Sequence, residues 1–206
     1  MKAVGPRIAV ALIALAIPGD AHAHLVNTTL GDFYGGMFHP LSGLEDVLPW
    51  LALAILAGLQ GPIRARWLLA VFPAGLMSGG GLSLLVPGFA VASGFGLALV
   101  ALMGVAVAIA LVLPVSGLIA LGALVALSTG YQNGQAITGA TDPLLFIAGV
   151  TAIGYVFMTL AIGGLTAFLQ GGGGWRMIAT RAGGSWVAAI GLMALGLHLL
   201  LSIIHI

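Results

Sequence analysis

The stretch Phe33-Tyr34-Gly35-Gly36-Met37-Phe38-His39-Pro40-Leu41-Ser42-Gly43-Leu44-Glu45-Asp46-Val47-Leu48-Pro49-Trp50 carries one imidazole and two carboxylates within eight residues, His39 to Asp46. Imidazole, carboxylate and free backbone carbonyls all suit a divalent cation. Pro49 helps to free such a carbonyl. It has no N–H to offer the carbonyl of Glu45 and its ring crowds that oxygen, so a helix here should start late or kink. A purely structural reading stands beside this one. Ser42-Gly43-Leu44-Glu45 fits a capping box, Asp46 could itself cap a helix beginning at Val47, and acids at a helix N-terminus gain about 0.3 to 1 kcal/mol from its dipole.

Other groups able to do chemistry are few. His198 falls six residues, or about 9 Å, inside the end of the last apolar segment, where it either bonds a neighbouring helix or lines a substrate path. His24 could chelate a metal through its amine and ring if it were the first residue of a processed chain; otherwise it belongs to a mobile tail. Asp142 followed by Pro143 reads as an N-cap with proline in the first helical position. There is no cysteine, so disulfides and thiolate metal sites are excluded. No phosphate-binding loop exists, because Gly171 to Gly174 lacks the lysine and hydroxyl that follow such a run. No hydrolase triad or paired-histidine metalloprotease motif is present either, and an enzyme is not expected.

The composition names the solvent in which these groups sit. Of 206 residues, 61% are hydrophobic and 5% charged, against about 25% charged in a soluble domain. Lipid accepts such an exterior and water does not. Lys2 and Arg7, the apolar run Ile8 to Ile17, the Pro18-Gly19 break and Ala21-His22-Ala23 form a signal-peptide pattern, with cleavage expected after Ala23. The expected organisation is a signal peptide over 1–23, a short periplasmic segment over 24–45 and an all-α membrane helix bundle over 46–206. Apolar segments at roughly 46–60, 67–86, 92–112, 115–129, 143–169 and 185–204 predict about six transmembrane helices.

Charge placement supports that count. With the processed N-terminus outside a bacterial cytoplasmic membrane, Arg64, Arg66, Arg176 and Arg181 all fall inside, as the positive-inside rule requires. Asp32, Glu45, Asp46, Asp142, His24, His39 and His205 fall outside, and so does the C-terminus. Within the bundle, Ser78-Gly79-Gly80-Gly81 either interrupts the second span or packs it closely on a neighbour. Thr151, Tyr155, Met158 and Thr159 recur at helical spacing and are expected to share one face turned to protein or a polar path.

The signal ending in Ala-His-Ala, the sequence His39-Pro40-Leu41-Ser42-Gly43-Leu44 before the first span and the six-span layout together resemble the HupE/UreJ family of hydrogenase and urease accessory membrane proteins. That resemblance implies a nickel or cobalt permease serving metalloenzyme maturation. It also implies an ion-handling His-Pro-x-x-Gly-x-Asp-His motif, whose first histidine matches His39. Two departures stand out. Glu45-Asp46 replaces the motif's Asp-His. In the fourth span and the loop after it, Thr129-Gly130-Tyr131-Gln132-Asn133-Gly134 replaces a His-Gly-x-x-His-Gly pattern. Carboxylate, hydroxyl and amide in place of imidazole favour harder, oxygen-preferring ions.

The leading expectation is a permease admitting a divalent metal ion from the periplasm through an outer site of His39, Glu45 and Asp46, with His198 and His24 as further candidate ligands. No permanently bound cofactor and no nucleic-acid partner are expected. The rival is a non-transporting scaffold whose glycine-rich faces dock a maturation protein or a second copy of the chain.

Overall fold

The structure, a computed structural model, describes residues 31–88 and 93–204. The expected signal peptide, His24 and His205 lie outside the described residues. Among those described, all regular structure is helical: α1 (Gly31–Phe38), α2 (Leu44–Leu59), the single turn α3 (Pro62–Ala65), α4 (Leu68–Leu85), α5 (Ser93–Ala108), α6 (Val115–Gly134), α7 (Pro143–Gln170) and α8 (Gly174–Ile204).

Four segments are long and apolar enough to cross a membrane: Pro62–Leu85, Val115–Gly134, Pro143–Gln170 and Gly174–Leu201. Of the six expected crossings, the remaining two correspond to shorter helices. The 16 residues of α2 rise only about 24 Å, against a hydrocarbon core of roughly 30 Å. The apolar part of α5 is shorter still, Gly94–Ala108. The outer surface is strongly apolar, with Leu85 80%, Leu144 78% and Trp186 76% exposed. Such side chains facing outward suit acyl chains and would be costly in water.

Inside, Trp50 is fully buried and sets its ring edge-on to Phe72 of α4 and Phe157 of α7, at centroid distances of 5.5 and 5.7 Å. Around this hub the closest helix contacts run through glycine. Gly130 of α6 lies on the α4 backbone, where an added Cβ would come within 2.5 Å of the Leu76 carbonyl oxygen. Gly104 of α5 is equally tight against the Ala188 backbone of α8. Ser78 to Gly81 remain helical inside α4, and Gly79 meets the backbone of α6 at Leu127 and Tyr131. The close-packing reading of that run therefore holds, and no break exposes its carbonyls.

Several local expectations are corrected. The helix α2 begins at Leu44, with Gly43 as its N-cap and no side-chain cap, so neither the capping box nor a later start at Val47 forms. The Ser42 hydroxyl instead donates to the His39 carbonyl at 2.6 Å. The fourth span does not stop at 129 but runs to Gly134, because its polar last turn finds partners in Asp46 on α2 and in the Val86 carbonyl just past α4. Nor does the last helix wait until 185: it starts at Gly174 and includes both Arg176 and Arg181. On α7, Met158 is buried but Tyr155 and Thr159 are exposed. The Thr159 hydroxyl needs no neighbouring helix, since it donates to the Tyr155 carbonyl one turn back at 2.8 Å. One expectation holds in detail: Asp142 caps α7 through Oδ1, which accepts from the amides of Leu144 and Leu145 at 2.9 and 3.1 Å, with Pro143 at the first position.

Cross-helix bonds give the helices alternating directions. Asp46 at the start of α2 meets Asn133 at the end of α6, and Arg181 near the start of α8 meets Ala108 at the end of α5. One end of the bundle thus holds Asp32, His39, Glu45, Asp46 and Asp142. The other holds Arg64, Arg66, Arg176 and Arg181.

The glycine contacts carry a measurable cost. Gly104→Ala should destabilise by about 1 to 3 kcal/mol through overpacking, read as a lower thermal midpoint in detergent. Gly163→Ala, where nothing lies within 4 Å of the new Cβ, should leave the midpoint unchanged or raise it slightly. Equal effects at the two positions would contradict this packing.

Candidate functional site

The richest polar arrangement lies at the acidic end, where the first two turns of α2 face the last two of α6. Asp46 and Trp50 are one turn apart on α2, as Thr129 and Asn133 are on α6, and the helices run in opposite directions. The side chains therefore meet in two rungs. In the outer rung the Asn133 amide Nδ2 donates to Asp46 Oδ2 at 2.9 Å. In the inner rung the Trp50 indole N–H donates to Thr129 Oγ1 at 3.3 Å. The rungs are joined, because Asn133 Nδ2 also donates to the Thr129 carbonyl at 2.9 Å and the Thr129 hydroxyl donates to the Val125 carbonyl at 2.9 Å. All four residues are buried, Asn133 at 2% exposure and Asp46 at 7%. One atom is left over: Asn133 Oδ1 is buried with no hydrogen-bond partner.

Beside this ladder a cavity of about 270 Å³ opens between α2, α5, α6 and α8. Its polar lining comes from Glu45, Ser128, Thr129 and Gln132, and Thr129 belongs to both cavity and ladder. Leu97, Val100, Ile190 and Ala194 supply much of the apolar wall from α5 and α8. Glu45 is exposed at the start of α2 and its carboxylate folds back over Gly43, where a Cβ would come within 2.5 Å of Oε1. Glycine at 43 is what leaves room for that carboxylate.

The three residues expected to form one outer site are thus divided. Asp46 faces α6, Glu45 faces the cavity, and His39 lies exposed in the turn after α1 with its ring 5.6 Å from that of Phe146 on α7. Among the described residues, no three His, Asp or Glu side chains gather closely enough to hold a metal ion. The reason is helical geometry: adjacent positions 45 and 46 point about 100° apart, so one helix cannot aim both acids at one point. His198 is half-buried on α8 and packs over Gly94 at the start of α5, away from this triad.

Residues that no motif singled out contribute as much. Trp50 gives the ladder its second rung, and Ser128 joins Gln132 on the cavity wall. A polar pair four apart on α2 opposite two polar pairs four apart on α6 was the available signal. At the opposite end Gln60 was also missed. Its side chain donates to the carbonyls of Leu56 and Leu111 and accepts from the Leu113 amide.

Removing the amide tests the ladder. Asn133→Leu should destabilise by about 1 to 3 kcal/mol, since the buried Asp46 carboxylate loses its donor. Gln132→Leu, one residue away on the exposed side, should change stability by no more than about 0.5 kcal/mol. Chemical or thermal unfolding of the two variants decides it, and indistinguishable values would dissolve the ladder's structural role.

Comparison with known proteins gives this geometry a context. The family model described as HupE / UreJ protein matches residues 10–194. Protein HupE of Rhizobium leguminosarum bv. viciae is 30% identical over 193 residues, covering 92% of this chain and 98% of that protein. No solved structure gives a significant match. The match spans every element that builds the ladder and the cavity, and on that ground the chain belongs to the HupE/UreJ family.

Proposed function

We propose that this chain is an inner-membrane permease for a divalent metal ion, taking it from the periplasm at the end of the bundle that carries the acids. The observation that carries the reading is the cavity itself: it opens among the outer halves of α2, α5 and α6, holds the Glu45 carboxylate, and is walled by the same Thr129 that joins the buried ladder. A cavity lined by a carboxylate, two hydroxyls and a side-chain amide, next to the buried Asp46 rung, suits passage of a cation better than the docking of a partner protein. In this reading all six apolar segments cross the membrane, the short α2 and α5 being lengthened at their ends by adjoining residues. The processed N-terminus and the C-terminus are periplasmic, and the arginine end faces the cytoplasm as the positive-inside rule asks.

The residues divide the work. Glu45 and His39, both exposed, capture the ion electrostatically and through the imidazole. Asp46 receives it within the bundle, where an ionisable group is costly unless it serves the transport path. The ion is of the nickel or cobalt type by family likeness, handed on to metalloenzyme maturation proteins.

Two measurements test this. In proteoliposomes the combined change His39→Ala with Glu45→Gln should lower the initial rate of nickel or cobalt entry about tenfold, the scale of electrostatic focusing of a charged substrate. Entry at the rate of empty liposomes with the parent chain would instead favour a non-transporting scaffold. Because the chain has no cysteine, single introduced thiols report sidedness. A membrane-impermeant maleimide applied from the periplasm should label Ala136→Cys and not Gln170→Cys. The reverse pattern would overturn the direction of import.

A further inference from the structure

The two ends of α2 open on different hollows, and on the reading that the chain is a permease the difference assigns a role to the basic end. We propose that Gln60 and the connection between α5 and α6 form the inner gate of the ion's passage, opened when the α5–α8 pair swings as one body away from α2.

Between its two mouths the bundle is closed. The outer cavity reaches α2 at Leu48 and Pro49. A second, open hollow of about 540 Å³ lies at the basic end, where Leu59, Gln60, Arg64 and Val112 form part of its wall. Pro49 and Leu59 are about 15 Å apart along α2. Leu53 and Leu56, which lie between them, are fully buried in one apolar cluster with Met103 of α5 and Leu118 of α6. A hydrated cation does not cross a dry apolar layer of that depth, so the helices around it have to part.

The bonds on either side of the layer select the helices that part. At the acidic end α2 is tied to α6 by buried groups with no other partner to turn to. The helices α5 and α8 are joined backbone to backbone at Gly104, Gly184 and Gly191, and Arg181 of α8 holds the Ala108 carbonyl at the end of α5. At the basic end, what grips α5 from α2 is a neutral amide. Gln60 Nε2 donates to the Leu111 carbonyl at 2.8 Å, and Oε1 accepts from the Leu113 amide at 3.0 Å. Arg64 adds a longer bond to the Leu113 carbonyl at 3.4 Å. The Leu111 amide donates back to the Ala106 carbonyl at 2.8 Å, so the clamp takes hold of the last turn of α5 itself. Between these bonds Ala110 stands at a φ of 52°, the left-handed position after a helix that glycine fills most easily. The end of α5 is thus a strained cap steadied from outside. Because Gln60 borders the open hollow, water takes over its partners when the clamp opens, and no polar group is left unpaired.

The absence of cysteine allows the clamp to be tied and untied. In the full chain, Gln60→Cys with Val112→Cys puts two thiols in the wall of the same hollow. Joining them in detergent with a short bis-methanethiosulfonate, before reconstitution, should lower nickel entry into proteoliposomes at least about tenfold by removing the open state. A phosphine reductant should restore entry, and a monofunctional methanethiosulfonate should leave the rate within about threefold, since it ties nothing. A second readout needs no flux. Leu56 lies one turn inside Gln60, whose Nε2 also donates to its carbonyl at 3.2 Å. A thiol introduced by Leu56→Cys should resist a membrane-impermeant maleimide from both sides. Adding Gln60→Ala should speed its labelling from the basic end at least about tenfold, by raising the open population. The gate is overturned if the tied chain transports as fast as the untied one, if the monofunctional reagent slows it equally, or if labelling at position 56 is indifferent to Gln60→Ala. A parent chain that passes no more nickel than empty liposomes would remove the permease reading and this gate with it, whereas a parent that transports unhindered through the tie would remove the gate alone.

Discussion

A carboxylate buried among apolar helices has to be answered by a donor, and in this chain the answer is the Asn133 amide. Lipid offers no hydrogen bonds, so an unanswered Asp46 would be excluded from the bundle or would drag water into it. The need fixes more than two residues. Once Asp46 lies against Asn133, the opposed helix directions bring Trp50 against Thr129, and Trp50 then meets Phe72 and Phe157. A single polar rung thereby sets how α2, α4, α6 and α7 come together. The purely apolar contacts between them could slide past one another at little cost.

The two ends of the bundle obey the same requirement with opposite signs. At the acidic end, carboxylates meet backbone N–H groups: Asp142 caps α7, and Asp32 Oδ2 accepts from the Asp142 amide at 2.8 Å, tying α1 to the start of α7. At the basic end, guanidinium groups meet backbone carbonyls at the ends of α5 and α7 and in the connection before α6. Arg181 Nε donates to the Ala108 carbonyl at 2.7 Å, Arg176 to that of Phe168 at 2.5 Å, and Arg64 to that of Leu113 at 3.4 Å. Asp142 complements the N-terminal dipole of α7, and the guanidinium groups of Arg181 and Arg176 complement the C-terminal dipoles of α5 and α7. The separation of acids from arginines along the sequence is thus also how the helices are finished, and topology and capping share one pattern.

That explains which features the sequence made legible. Hydropathy and arginine placement sufficed for an all-helical chain with opposed ends, because the cost of charge in lipid dominates every competing term. Asp142-Pro143 was readable because an N-cap is local. What hydropathy hid was helical continuity through polar residues: Thr129 to Gly134 looks like the end of a span, yet partners on α2 and just past α4 keep it wound. The candidate site was legible by residue type and not by grouping. His39, Glu45 and Asp46 are neighbours in sequence, but the turn after α1 and the 100° step of a helix send them three ways. The residue that does meet Asp46, Asn133, lies 87 positions away, a distance that no local pattern can bridge. Only the i, i+4 repetition on both helices hinted at it.

The asymmetry between the ends also bears on which parts of the bundle are held rigidly and which are not. The cavity lies among the acidic-end halves of α2, α5 and α6, while at the basic end Gln60 bonds both the Leu111 carbonyl and the Leu113 amide, holding the turn between α5 and α6 against α2. Ala110 adopts a positive φ of 52° in that turn, a conformation that an alanine keeps only where its surroundings impose it. The α5–α8 pair is bound internally by Gly104, Gly184 and Gly191 and meets α2 around the cavity. Its two helices can therefore shift as one body with less disturbance than α4 and α6, which the Trp50 hub locks to α2 and α7. The Gln60 bonds therefore hold the basic end of α2 to the α5–α6 connection, opposite the end where the cavity lies. They share no group with the ladder, so the two ends of α2 are held to their neighbours independently.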